Sequence, residues 1–265
     1  MIRFAGLEDA GAVRALWERC FPDEGGFNPY FFAHFFDIGK TLLSVEGSTL
    51  CAMVQMLPYR LDCGGDVSEA TYIYGACTHP DYRRQGHMAR LLEHSFALDR
   101  AAGRTASTLI PAEEWLFGFY RPFGYEPFFR IARHEIVKKT RGSVPQRLSE
   151  QDIPQLAALY DRLAAPCRIA RSPSCWAGQI ALFDALGKGV YGWREAGKLA
   201  AYAFCWEDTA QEAFGMTPER EQGLLEVLRK DAFTYTACGR ETALGCIKWH
   251  VPRAVSCGYM NLMLN

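Results

Sequence analysis

YGACTHPDYRRQGHMAR, residues 74–90, carries the chain from a strand into a helix through a tight, basic turn that contains one glycine. The β-formers of Glu69–Thr78 run up to His79-Pro80, and a residue before proline is pushed toward extended backbone, so the strand ends there. From Met88 onward, Met88, Leu91, Leu92, Ser95, Phe96 and Leu98 recur at helical spacing until Ala102-Gly103 closes the helix. Arg83, Arg84, Gln85 and Gly86 lie between the two. A helix start offers unpaired backbone N–H groups and the positive end of its dipole, which together hold a phosphate or pyrophosphate. Gly86 allows close backbone approach. Taken alone, two arginines ahead of a helix describe a solvated surface equally well.

On the N-terminal side, Ala10, Val13, Leu16 and Trp17 form a helical stripe within Leu7–Cys20, with Glu8 and Asp9 near its start. Phe27, Tyr30, Phe31, Phe32, Phe35 and Phe36 follow, more aromatic density than one helix face needs, so the segment is either a core plug or an aromatic wall for a ligand. Thr41–Val45 and Leu50–Leu61 flank the turn-like Glu46, Gly47 and Ser48 and read as an antiparallel hairpin. On the C-terminal side come a short buried strand over Arg104–Ile110, a brief helix over Glu113–Tyr120 and a strand over Gly124–Val137.

After the basic, glycine-terminated linker candidate Lys138–Gly142 a second set begins. Ser149–Leu163 reads as a helix capped by Ser149 with Asp152 three residues on. Val190–Glu195 and Lys198–Trp206 read as a hairpin, Ala213-Phe214 as a strand and Glu219–Lys230 as a helix, and TALGCIKWHV and GYMNLML complete the set as strands. The order of the first half recurs without its phosphate turn, as in a degenerate duplicate. The chain therefore reads as α/β (an α+β mixed sheet), with a central mixed sheet flanked by helices in each half, domains over 1–140 and 145–265.

At 265 residues and 49% hydrophobic content the chain is long enough for two cores. Lys plus Arg number 29 against 30 Asp plus Glu, a net charge of −1, which gives no field for nucleic acid or an anionic membrane. A small-molecule or protein partner fits that balance better, and self-association stays open. Ten cysteines are scattered without a CxxC pair or a His/Cys cluster at zinc spacing, so they read as reduced, mostly buried thiols, with no metal expected. No secretory start and no run of the roughly 20 apolar residues that span a bilayer is visible, so a soluble cytoplasmic protein is expected.

The 74–90 segment resembles motif A of the GNAT (Gcn5-related N-acetyltransferase) superfamily, Gln/Arg-x-x-Gly-x-Gly/Ala, matched by Arg83, Gly86 and, imperfectly, Met88. The likeness continues through Leu109-Ile110-Pro111 and through Phe119–Tyr125, which resembles the family's Tyr-x-x-x-Gly-Phe/Tyr block. As a whole the chain resembles the Eis-type (enhanced intracellular survival) branch, a functional GNAT domain followed by a degenerate one, without the sterol-carrier-like third domain of its longest members. Met88 departs from the usual small residue.

That resemblance implies an N-acetyltransferase that passes the acetyl group of acetyl-CoA to a primary amine of a small molecule or lysine side chain by direct attack. It places Ala76, Cys77 and Thr78 along the pantetheine arm, and Arg83, Arg84, Gln85, Gly86, His87, Met88 and Ala89 around the pyrophosphate. Tyr120 falls where the family has its general acid, and a tyrosine, with an ordinary pKa of about 10, is protonated at neutral pH. Glu24, Glu69, Glu113, His79 and His34 are all candidate bases by position, as is the terminal carboxylate at Asn265 by analogy with long Eis-type chains. Cys77 lacks an arguable activating partner and reads as structural. His87 reads as a solvent-facing residue at the helix start, in reach of phosphate or ribose. For the acceptor, Trp17, Glu24, Phe27 and Phe31 would form an aromatic and acidic pocket suited to a cationic amine. The competing reading is a non-catalytic acyl-CoA-binding regulatory or scaffold protein.

Overall fold

In the computed structural model, which describes residues 1–263, the first half runs β1 (Ile2–Phe4), α1 (Ala10–Cys20), α2 (Phe27–His34), β2 (Thr41–Glu46), β3 (Thr49–Cys63), β4 (Asp66–Thr78), α3 (His87–Ala101), β5 (Ala106–Leu109), α4 (Trp115–Tyr120) and β6 (Glu126–Val137). The second half runs β7 (Gln146–Arg147), α5 (Ile153–Leu163), β8 (Cys167–Ala170), α6 (Pro173–Ala185), β9 (Gly189–Glu195), β10 (Lys198–Trp206), β11 (Thr209–Phe214), α7 (Pro218–Leu228), β12 (Ala232–Cys238) and β13 (Thr242–Trp249). It is a mixed α/β structure.

The chain divides into two units, Met1–Phe128 with Leu244–Ser256, and Phe129–Ala243 with the residues from Cys257 onward. The first unit thus ends before the expected limit of 140 and regains a segment from late in the chain. In it β1, β2, β3 and β4 pair antiparallel in sequence, β4 pairs parallel with β5 after the α3 crossover, and β5 pairs antiparallel with β13. The second unit repeats this order: β7, β9, β10 and β11 antiparallel, β11 parallel to β12 after α7, and β12 antiparallel to β6. Each unit closes its sheet with a strand from the other half of the sequence.

Apolar spacing explains the layers. In α3 the buried residues Leu91, Leu92, Ser95, Phe96 and Asp99 fall three to four apart and face the sheet. Leu91, Leu92 and Phe96 pack with Leu42, Val54, Ile73 and Leu109, and each fully buried leucine stabilises by roughly 1.5–3 kcal/mol. Asp99 in this core is satisfied by Thr71 Oγ1 at 2.6 Å, Arg104 at 3.0 Å and His250 Nε2 at 3.3 Å. The second core joins Ile136, Trp193, Leu224, Leu225 and Phe233.

Several sequence expectations shift. The Lys138–Gly142 segment is built into the second unit: Lys139 and Thr140 N–H donate to Gln222 Oε1 at 2.7 and 3.1 Å. Helix α6 has no counterpart in the sequence reading because it buries Trp176, Gln179, Ile180, Leu182 and Phe183 around much of its circumference, which erases the amphipathic period. Of GYMNLML, the described residues 258–263 form only isolated bridges, at Gly258 and Tyr259, and Leu264 lies outside the described residues. Eight cysteines are free thiols, while Cys63 and Cys167 are disulfide-bonded, a correction to the reading of all ten as reduced. No helix among the described residues is long and apolar enough to cross a membrane.

Candidate active site

The site is made by the way β4 leaves its neighbour. β4 pairs with β5 only over Ala70–Tyr72, whereas its other edge stays bonded to β3 as far as Met53↔Cys77 and Ala52↔Thr78. Beyond Tyr72 the edge that faced β5 has no strand partner among the described residues. An extended ligand can pair there as an added strand would. Within this stretch Gly75 and Ala76 together oppose Val54, a β-bulge with Gly75 at φ +57°. A Cβ at Gly75 would lie 2.2 Å from Trp17 Cζ3.

Past Thr78 the chain makes the basic turn, with Arg84 at φ +61° and Gly86 at φ +78° in the left-handed region. Gly86 is the N-cap of the 15-residue α3 and supplies no side-chain cap, so the first N–H groups of the helix stay available to an anion. Arg90, one turn along, stitches the turn by donating to Gln85 O at 3.0 Å. Gln85 Nε2 donates to Asp81 O at 3.2 Å, and Arg83 Nε to Thr78 O at 3.4 Å.

Strand edge and turn share a cavity of about 800 Å³ lined by Ala76, Cys77, Thr78, Arg83, Arg84, Gly86, His87, Met88, Ala89 and Tyr120. Of the sequence-predicted cofactor residues only Gln85 is missing from its wall, because its side chain braces the turn. Tyr120, at the end of α4, is largely buried, and burial first, then the neighbouring Cys246 and Cys77, push its pKa up to about 12. Sequence reasoning missed Cys20, Phe21, Tyr82, Trp115, Leu116, Phe119 and Phe123, which with Glu113 complete the wall. Phe119 and Phe123 lay inside the recognised Phe119–Tyr125 block, but nothing in the sequence pointed to the end of α1.

His87 is corrected from solvent-facing to buried, at 1% exposure, because the first turn of α3 points its ring at the β2 side. Its Nδ1 lies 3.0 Å from Ser44 Oγ and 3.1 Å from Arg90 Nη2. Burial first, then Arg90, lowers its pKa. Glu46, Cys51 and His87 bring ligand-type atoms within 4.8 Å of one another. Arginine can only donate, so Nδ1 accepts and the ring proton sits on Nε2, 3.6 Å from Glu46 Oε1.

Of the aromatic run after α1, Phe31 is buried in the core and the other five rings are half-buried around it. Trp17 (3% exposed) stacks on Phe31 (0% exposed) at 4.7 Å and donates from Nε1 to Asn28 Oδ1 at 2.7 Å. Phe27 stacks on Phe31 at 5.9 Å, and Glu24 is exposed. None of the four lines the cavity, because the run folds into α2 and turns its rings onto Trp17 and Tyr74. Among the five candidate bases only Glu113 reaches the wall. Asn265 lies outside the described residues.

Comparison with known proteins agrees with this geometry. Residues 1–128 match the acetyltransferase (GNAT) domain family. No curated protein matches the chain. Among solved structures, a GCN5-related N-acetyltransferase from Anabaena variabilis is similar at TM-score 0.73 and 16% identity, over 93% of this chain and 72% of that one. A conserved protein of unknown function from Enterococcus faecalis, described as a probable N-acyltransferase, is similar at 0.69 and 15%, over 93% and 72%. Eis1 from Mycobacterium abscessus is similar at 0.63 and 16%, over 94% and 73%. At such identities the likeness speaks for the fold alone, and the match of residues 1–128 to the acetyltransferase (GNAT) domain family supports an acyltransferase.

Proposed function

We propose that the protein transfers the acetyl group of acetyl-CoA to a primary amine of a small molecule or lysine side chain, with the first unit catalytic and the second a degenerate GNAT unit, in the manner of Eis-type chains. The observation that carries the reading is the unpaired β4 edge running directly into an uncapped helix start, with Tyr120 in the same cavity. Backbone groups of Ala76–Thr78 pair with the pantetheine arm, and a backbone N–H there polarises the thioester carbonyl. The α3 N-terminus with Arg83 and Arg84 holds the pyrophosphate.

The amine, once neutral, attacks the thioester carbon, the C–S bond breaks, and the thiolate leaves. With its pKa at about 12, Tyr120 lies about 3.5 units above an ordinary thiol, so complete proton transfer to sulfur costs about 5 kcal/mol. Tyr120 therefore acts chiefly as a hydrogen-bond donor to the sulfur as charge develops there, and solvent delivers the proton.

Calorimetric titration with acetyl-CoA tests the binding half: wild type binds, and an Arg84→Ala, Gly86→Trp variant loses binding. Thiol release with a panel of amines tests the chemistry, and Tyr120→Phe should keep affinity while lowering turnover by about 10²-fold or more. Absence of acetyl-CoA binding by the wild type would overturn the reading. Binding without amine-dependent thiol release would favour the regulatory alternative.

A further inference from the structure

Three side chains of the kinds that hold zinc meet behind the basic turn. Leu42 and Ser44 of β2 face α3, and Glu46, two residues on, keeps that face. Ala52 of β3 faces α3 as well, and strict alternation would turn Cys51 away from it. Cys51 is, however, the extra residue of a β-bulge, since Ser44 opposes Ala52 while Val45 opposes Leu50. A bulge re-aims the side chain it carries. His87, the first residue of α3, supplies the third group. The ligand-type atoms of Glu46, Cys51 and His87 all lie within 4.8 Å of one another. His87 is 1% exposed, and its Nε2 finds no hydrogen-bond partner among the described residues. Glu46 Oε1, at 3.6 Å, stands too far for one. A buried ring nitrogen left unpaired beside a thiol and a carboxylate is a ligand set without its ion.

We propose that Glu46, Cys51 and His87 form a binding site for a divalent metal ion of the zinc class, with His87 Nε2, the Cys51 thiolate and one Glu46 oxygen as ligands. His87 also lines the cavity of the acyl-transfer reading, but the metal site does not depend on that reading.

When the ion binds, Cys51 gives up its proton and its hydrogen bond to Thr49 O, 3.4 Å away, and the ring proton of His87 passes from Nε2 to Nδ1. Ser44 Oγ, 3.0 Å from Nδ1, accepts it. Arg90, which can only donate, turns Nη2 away from Nδ1; it is exposed and keeps Nη1 on Gln85 O at 3.0 Å. One proton leaves per ion, that of Cys51. Ligand atoms around a tetrahedral zinc lie about 3.3–3.6 Å apart, so the carboxylate already has the right spacing from the imidazole, and its exposed side chain can close on the thiolate. The fourth position opens on the Glu46 side and takes water. No zinc spacing shows in the sequence because three separate elements supply the ligands.

The test is titration of the full chain, stripped by a chelator, with zinc sulfate against a chromophoric competitor. It is repeated with cobalt(II), whose sulfur-to-metal charge-transfer absorption reports a thiolate ligand. The wild type should bind one ion per chain and show that absorption, and Cys51→Ser should abolish it. Cys51→Ser, His87→Gln and Glu46→Gln should each weaken zinc at least about tenfold, as should Ser44→Ala, which removes the acceptor for the Nδ1 proton. Glu46 is exposed, so Glu46→Gln reports the loss without a folding defect. Zinc should raise the urea midpoint of the wild type and leave that of His87→Gln in place. No zinc binding by the wild type, or binding of equal strength in Cys51→Ser and His87→Gln, as the other free thiols would give, would overturn the proposal.

Discussion

Replacing Gly75 with alanine probes the joint on which the site depends. Gly75 sits at φ +57°, where a side chain costs roughly 1–2 kcal/mol. Its new Cβ would lie 2.2 Å from Trp17 Cζ3. Trp17 cannot retreat easily, being stacked on Phe31 at 4.7 Å and tied to Asn28 at 2.7 Å. Forcing an extra carbon into such packing typically costs about 1–3 kcal/mol, so Gly75→Ala should destabilise by about 2–5 kcal/mol. Gly47, in the β2–β3 turn, is the matched control, since it also has φ +57° but nothing within 4 Å of its would-be Cβ. Gly47→Ala carries the backbone cost alone, and the gain from a stiffer unfolded chain is common to both variants and cancels. Urea unfolding of the two variants, compared at unchanged m, isolates the packing term at about 1–3 kcal/mol. The Gly75 variant should also bind acetyl-CoA more weakly, because relief of the clash pushes the bulged edge out of place. Equal destabilisation of the two variants, within about 0.5 kcal/mol, would refute the claim that Trp17 fixes the bulge.

Glu212→Gln should destabilise the second unit by about 3–5 kcal/mol in urea titration, because it leaves Arg171 as an uncompensated buried cation. Glu212 accepts from both Arg171 Nη atoms at 2.6 Å and from the Tyr202 and Tyr259 hydroxyls at 2.8 and 2.7 Å. The apolar pair Arg171→Met with Glu212→Leu should recover much of that loss. His87, whose pKa folding lowers, contributes stability that is complete above the unfolded value of about 6.5. Below that pH the unfolded chain takes up the proton first, and stability falls until the folded pKa is passed. Urea midpoints should therefore drop between pH 7 and 5.5 in the wild type, and the drop should be smaller in His87→Gln.

What the sequence disclosed and what it hid divide along physical lines. Strand β4, the basic turn and α3 were legible because each carries a local signal: β-formers ending at a proline, a glycine at the turn, apolar residues at helical spacing. The ring of Tyr120 was legible through its block. His87 was misread since its sequence neighbours, Arg84, Gln85 and Arg90, are polar, while its burial depends on Ser44 in a strand distant in sequence. The aromatic run was left between core and ligand wall because ring density alone does not say which way a helix turns. Cys20 gave no signal, for its place in the cavity wall rests on the spatial meeting of the end of α1 with β4.

The two units share a strand order, and the difference between them lies in what fills the corresponding positions. In the first unit the crossover helix begins at a glycine without a side-chain cap. In the second, α7 begins with Pro218, which has no N–H, and Thr217 Oγ1 accepts from Arg220 N at 3.3 Å, so its own residues satisfy the helix start. β11 likewise leaves β12 after Ala210 and bulges at Gln211, as β4 does at Gly75. Here the Gln211 carbonyl accepts from Asn261 Nδ2 at 2.5 Å. That tail is itself secured, with Asn261 O accepting from Arg171 at 2.9 Å and Leu262 O from Gln179 at 2.8 Å. The hydrogen-bonding groups that the proposed function assigns to a ligand in the first unit are taken in the second by the chain itself. On the proposed reading of the second unit as degenerate, degeneracy is occupation by the protein's own polar groups, and a single substitution such as Asn261→Ala should loosen the second unit without creating a second cofactor site.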